Sequence, residues 1–121
     1  MQKFNDLPWH DTEIKQILID RSDPGHKDEI RLLICWPDSE KNDWIIFADC
    51  YKFESNFNFG IVADETILEA CCLDDTPRLK EIKMVWGNMG VDLKKLKHYK
   101  IVLNSTASEM NIYASNFYIQ K

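Results

Sequence analysis

Ile30-Arg31-Leu32-Leu33-Ile34-Cys35-Trp36-Pro37, then Asp38-Ser39-Glu40-Lys41-Asn42-Asp43, then Trp44-Ile45-Ile46-Phe47-Ala48-Asp49-Cys50-Tyr51-Lys52-Phe53: this stretch decides the fold. Two β-branched and aromatic runs flank a polar break with turn chemistry, the pattern of a β-hairpin. Both runs are apolar at nearly every position, so both faces of the hairpin are expected to be covered. Setting Ile34 opposite Ile46 places Arg31 across from Asp49, an expected cross-strand ion pair. The same register puts Cys35 and Cys50 on opposite faces and too far apart along the sheet for a disulfide.

Outward from the hairpin, Thr12 to Arg21 reads as a strand, with Ile17 and Ile19 on one face and Ile14 and Leu18 on the other. Asp23-Pro24-Gly25 turns it back onto the opening hairpin, giving a three-stranded antiparallel meander. Residues 1–11 read as an irregular lead-in, fixed locally by Pro8. Downstream, Glu54 to Gly60 reads as a loop with apolar anchors. The apolar segment 66–73 fits either a helix or a short buried strand, and strand is the reading adopted. Thr76 can cap a helix whose first residue is Pro77. Leu79, Ile82, Val85, Trp86 and Met89 give it one apolar stripe, and Gly87 and Gly90 bracket its end near 77–89. Lys94, Lys95 and Lys97 read as a solvated face. Tyr99–Asn104 and Met110–Ile119 make a C-terminal hairpin, and the Asn104-Ser105-Thr106 glycosylation match is assigned to its turn. The expected architecture is α+β and β-rich: an antiparallel sheet of about six strands with one packed helix, a single domain over 1–121.

A chain of 121 residues buries roughly two-thirds of its unfolded surface, so it needs no metal or disulfide staple. Its 20 acidic and 15 basic side chains leave a formal charge of −5. That balance argues against nucleic acid and suits a basic protein partner. The N-terminus lacks the apolar core of a signal peptide and no apolar run could span a bilayer, so a cytoplasmic protein with no membrane partner is expected. Cys35, Cys50, Cys71 and Cys72 form no Cys-x-x-Cys pair and read as reduced, small hydrophobes.

His10, His26 and His98 lie far apart with no carboxylate at ligand spacing, so neither a metal nor a cofactor is expected. His10 and Asp11 are adjacent, and on an extended chain they would point apart instead of forming a dyad. No phosphate loop, nucleophile elbow or activated cysteine is present, and no catalytic residue is assigned. Core duty is the first expectation for each aromatic taken singly; Trp9, Trp44 and Tyr51, near strand ends, are the ones best placed for an exposed binding patch.

Several stretches together resemble a known set of proteins. They are Leu7-Pro8-Trp9-His10-Asp11, Ile19-Asp20-Arg21, Pro24-Gly25, Trp36-Pro37-Asp38, Phe47 with Asp49-Cys50-Tyr51, Asn58-Phe59-Gly60, Asn104-Ser105-Thr106 and Ile112-Tyr113-Ala114. The pattern is similar to small bacterial immunity-protein families of polymorphic-toxin systems. That resemblance implies a non-enzymatic inhibitor that occludes a cognate toxin; it transfers no catalytic residue and names no toxin. An acidic surface would suit a basic toxin domain. Its expected partner-binding residues are Trp9, His10, Asp11, Asp38, Glu40 and Asp43, with Asp20, Asp23 and Asp28 in or beside a second loop. The alternative is a small hydrolase or ligand-binding protein with a pocket near His10, Asp11 and Tyr51.

Overall fold

The opening hairpin supplies two interior strands of the sheet, the second and third of six, in keeping with its apolar density. A computed structural model describes residues 3–120; Met1, Gln2 and Lys121, at the ends of the expected 1–121 unit, lie outside the described residues. A 3-10 turn, Phe4–Asp6, is followed by β1 (Glu13–Asp23), β2 (Lys27–Cys35), β3 (Asn42–Asn56) and β4 (Ile67–Leu73). Then come α1 (Pro77–Asn88), β5 (Lys97–Leu103) and β6 (Glu109–Gln120). All strand pairs are antiparallel, in the order β1-β2-β3-β6-β5-β4. The fold is therefore the β-rich α+β architecture with one helix, and segment 66–73 contributes a strand.

The sheet coils until its two outer strands meet at one end. Glu13 bridges Thr66. The Ile14 N–H donates to Glu65 O at 2.9 Å, Ile67 N–H to Thr12 O at 2.8 Å and Asp11 N–H to Ile67 O at 2.9 Å. Beyond Ile14 the strands part, so the barrel is closed over a few residues only.

The lead-in fills this barrel. Phe4, Leu7 and Trp9 join the core formed by Ile30, Leu32, Ile34, Ile45, Phe47, Ile101 and Ile112. The Phe4 ring lies 4.5 Å from Trp9, 5.0 Å from Tyr99 and 5.1 Å from Phe117. Trp9 donates its indole N–H to Phe4 O at 2.6 Å, which satisfies the one polar atom of that buried ring. Asn5 then caps the outer edge of β4. Its carboxamide accepts from Cys72 N–H at 2.7 Å and donates to Cys72 O at 3.3 Å, as a neighbouring strand would. The lead-in is thus a core plug and an edge cover.

The register of β2 on β3 differs from expectation. Cys35 pairs with Asn42 and Leu32 with Ile45, three residues earlier on β3 than expected. Arg31 therefore faces Ile46, and the expected Arg31–Asp49 ion pair does not form. Arg31 instead meets Glu29, two residues along its own strand, at 2.8 Å. Asp49 lies in the left-handed region with φ 55. Its carboxylate accepts the Ser115 hydroxyl of β6 at 2.8 Å. The core-facing positions of β3 accordingly run Ile45, Phe47, Cys50 and Phe53, not in strict alternation. Ile45, Ile46 and Phe47 are all fully buried, so both faces of β3 are covered at its centre, whereas on β2 only Ile30, Leu32 and Ile34 are buried.

Helix α1 packs on the outside of the barrel. Thr76 caps it by accepting the Leu79 N–H at 3.3 Å. Leu79 and Ile82 bury against Leu93, Leu96 and Tyr113, and the Trp86 ring meets Tyr51 edge-on at 5.0 Å. Val85 and Met89, expected on the same stripe, are exposed because the contact face is only as wide as Leu79, Ile82 and Trp86. His98 ties the helix to the sheet. Its Nδ1 lies 3.0 Å from Thr76 Oγ1, its Nε2 lies 2.7 Å from Asn111 Oδ1, and its ring stacks on Tyr113. A Thr76 hydroxyl donating to Nδ1 and an Nε2–H donating to Asn111 satisfy the whole network.

Candidate partner-binding surface

The six expected binding residues gather at one end of the sheet, in very different states. Trp9 is 4% exposed and cannot reach a partner without opening the core, which corrects its expected place on the surface. Its ring lies 5.2 Å from Trp36, whose indole donates to Asp43 Oδ2 at 2.9 Å. Asp43 is thereby committed to the hairpin. Asp38 and Glu40 are exposed in the β2–β3 turn. That turn follows Cys35, which pairs with Glu13 at the start of β1.

His10 and Asp11 stand just before β1. Asp11 has φ 68, so the chain there is not extended. His10 Nε2 and Asp11 Oδ2 consequently come to 3.6 Å, where adjacent extended residues would have diverged. Both are largely exposed, and His10 Nδ1 lies 3.0 Å from Leu68 O, on the outer edge of β4.

Asp20, Asp23 and Asp28 lie at the far end of β1 and β2, about 23–33 Å along the strand from Glu13 at roughly 3.3 Å per residue. There they shape the turn. Asp20 accepts the Ser22 N–H, which with Lys27 nearby lowers its carboxyl below the usual range. The Arg21 guanidinium, helped by the Gly25 N–H, does the same to Asp28.

Tyr51 lines a separate cleft of about 530 Å³, with Ile19, Arg21, Asp28, Asp49, Cys50 and Trp86 among its walls, and neither His10 nor Asp11 reaches it. The expected shared pocket of His10, Asp11 and Tyr51 does not form, because the chain carries them to different ends of the barrel. Burial pushes the Cys50 thiol up to about 12 and the Tyr51 phenol up from its ordinary value, so both stay protonated at neutral pH. Among the described residues no group of three His, Cys, Asp or Glu side chains is placed to hold a metal ion.

The sequence reading passed over the most exposed apolar surface. On β1, Ile17, Leu18 and Ile19 are exposed in succession, Ile19 to 60%. In the loop after β3, Phe59 is 89% exposed, and Ile61 and Val62 are exposed beside it. The two stretches meet at Ile17, which faces Phe59 and Ile61. Ile14, Lys15, Gln16 and Ile17 form one wall of a cleft of about 340 Å³, and Phe57, Phe59 and Ile61 another. A register shift between Ile14 and Gln16 puts Ile14 and Ile17 on the same cleft, where simple alternation would have separated them. Phe57 packs on the core and anchors the loop.

From Lys15 to Asp20 no backbone bond is made on the side of β1 away from β2, among the described residues. Every second N–H and C=O there is open to a further strand. The cleft also holds Glu65, whose Oε2 accepts the Thr106 hydroxyl at 2.6 Å. Its Oε1 is buried with no hydrogen-bond partner among the described residues. The Ile17-Leu18-Ile19 run and the Phe59-Gly60-Ile61-Val62 run were visible in the sequence, but the edge position of β1 that exposes them was not.

Comparison with known proteins returned no matching family model, no matching curated protein and no matching solved structure. No helix among the described residues is long and apolar enough to cross a membrane.

Proposed function

We propose that this chain is a non-enzymatic protein-binding module, an immunity-type inhibitor that occludes a basic toxin domain in the cytoplasm of the cell that makes it. The observation that carries this reading is the exposed apolar surface where Ile17 of β1 meets Phe59 and Ile61 of the neighbouring loop, continued along the same face of β1 by Ile19. Apolar groups clustered this openly mark protein-interaction sites more often than solvated faces. Acidic residues extend the surface at both ends, with Asp38 and Glu40 near the start of β1 and Asp20 and Asp23 at its end. The net charge of −5 would steer a basic partner toward it. Binding by occlusion asks for no catalytic group; Asp20 and Asp28 shape a turn, and His98 ties the helix cap to the sheet.

The test is co-expression with the product of the adjacent coding sequence in a host that this product kills. The expected result is restored growth and a stable stoichiometric complex, lost in an Ile17→Lys, Phe59→Lys double variant that keeps the parent melting temperature. A neighbour that is harmless, or is lethal and not neutralised, contradicts the reading.

A further inference from the structure

The way the partner docks can be read from the incomplete closure of the barrel. We propose that an extended, basic segment of the partner adds as a strand to the free edge of β1, with its side chains in the cleft under the Phe57–Ala63 loop; this rests on the protein-binding reading above.

The two outer edges of the sheet are treated differently. The edge of β4 is covered at both ends: Asp11 and Thr12 bond Ile67, His10 meets Leu68 O, and the Asn5 carboxamide holds both backbone groups of Cys72. The edge of β1 has no such cover from Lys15 to Asp20. Those six residues offer roughly 20 Å of strand, enough for a six-residue addition. Edge strands left bare usually carry charges or bulges that discourage pairing. Here Lys15 and the irregularity after Ile14 guard the beginning, while Ile17, Leu18 and Ile19 follow without a guard.

Charge selects the occupant. Residues 13–23 and 57–66 carry five acids, Glu13, Asp20, Asp23, Asp64 and Glu65, against two bases, Lys15 and Arg21; Glu13 pairs with Lys15 and Asp20 with Lys27, and Asp64 and Glu65 beside the cleft have no lysine or arginine partner among the described residues. The buried, unpartnered Glu65 Oε1 opens the further need for a donor in this cleft. A lysine or arginine on the added strand supplies both the positive charge and the donor. A second copy of this chain fits worse, since self-pairing would set two net-acidic edges and two chains of charge −5 against each other.

The probe is a pool of eight-residue peptides with lysine or arginine at the first, fourth and last positions and valine, isoleucine or threonine elsewhere. Two twin pools carry N-methyl groups on alternate amides, or glutamate in place of the bases. Binding is read by fluorescence anisotropy against the full chain, and the site by amide hydrogen exchange. The basic pool should bind at about 10–100 μM and slow exchange within 15–20, while N-methylation and the acidic exchange each weaken binding at least about tenfold. Glu65→Gln should weaken the basic pool about fivefold and Ile17→Lys about tenfold, at unchanged melting temperature. No binding up to about 1 mM, equal binding of the N-methylated or the acidic pool, or a dimer of the protein alone with a protected β1 edge, each overturns the inference. A toxin complex whose protection falls only on residues 38–43 would sink the strand addition and leave the inhibitor reading standing.

Discussion

Removing the Phe4 ring tests whether the lead-in is truly part of the core. Phe4 is buried and contacts four other rings: Trp9, Phe47, Tyr99 and Phe117. Phe4→Ala leaves a cavity among side chains that belong to three different strands and the lead-in and cannot all collapse inward. A buried Phe-to-Ala change costs about 3–5 kcal/mol, with lost edge-to-face contacts toward the upper end. Against a total stability of roughly 6–18 kcal/mol for a domain of this size, that is a large share. It corresponds to a fall in melting temperature of about 10–20 °C. The assay is paired urea and thermal unfolding followed by tryptophan fluorescence, with Phe59→Ala as the control. Phe59 is 89% exposed and should lose less than about 0.5 kcal/mol. Undocking of the lead-in should also free Asn5 from Cys72 and speed exchange of the Cys72 amide. A Phe4→Ala protein that melts within about 3 °C of the parent would refute the plug.

Other outcomes follow from the same structure. Cys50, held protonated by burial, should resist alkylation at about pH 8 in the folded protein and react fully in urea, as read by mass spectrometry. Thr76→Val removes the helix cap and leaves the buried His98 Nδ1 without its hydroxyl partner. It should cost about 2–3 kcal/mol in urea unfolding, while Thr76→Ser stays within about 0.5 kcal/mol of the parent. The Arg78 guanidinium lowers the Glu54 carboxyl below its usual value of 4.5. A group whose folded pKa is depressed stabilises above its unfolded pKa and loses that contribution in acid. The parent should therefore lose its advantage over Glu54→Gln as pH falls from about 5 to 3, by differential scanning calorimetry. The advantage itself is small because both side chains are about two-fifths exposed.

Much of the architecture was legible because local signals and burial agreed. Thr76-Pro77 marked the helix start, and Thr76 does cap Leu79. The dense apolar runs marked the central strands, and Ile45, Ile46 and Phe47 are fully buried. The register was not legible, because the polar stretch after Pro37 does not state how many of its residues join the strands. The chain uses Asn42 and Asp43 as strand, and this moved Arg31 away from Asp49. Trp9 read as a surface aromatic because it stands near a strand end. Only the coiling of the sheet creates the interior that receives it. The Ile17–Ile19 and Phe59–Val62 surface was hidden for the opposite reason. An apolar residue reads as core until the topology shows that its strand is an edge.

Amide hydrogen exchange resolved to single residues bears most directly on the claim that one edge of this barrel is sealed and the other free. The amides of Ile67 and Cys72 on β4 should exchange slowly, and alternate amides between Lys15 and Asp20 on β1 should exchange quickly. Uniform protection along β1, or rapid exchange at Ile67 and Cys72, would contradict the account.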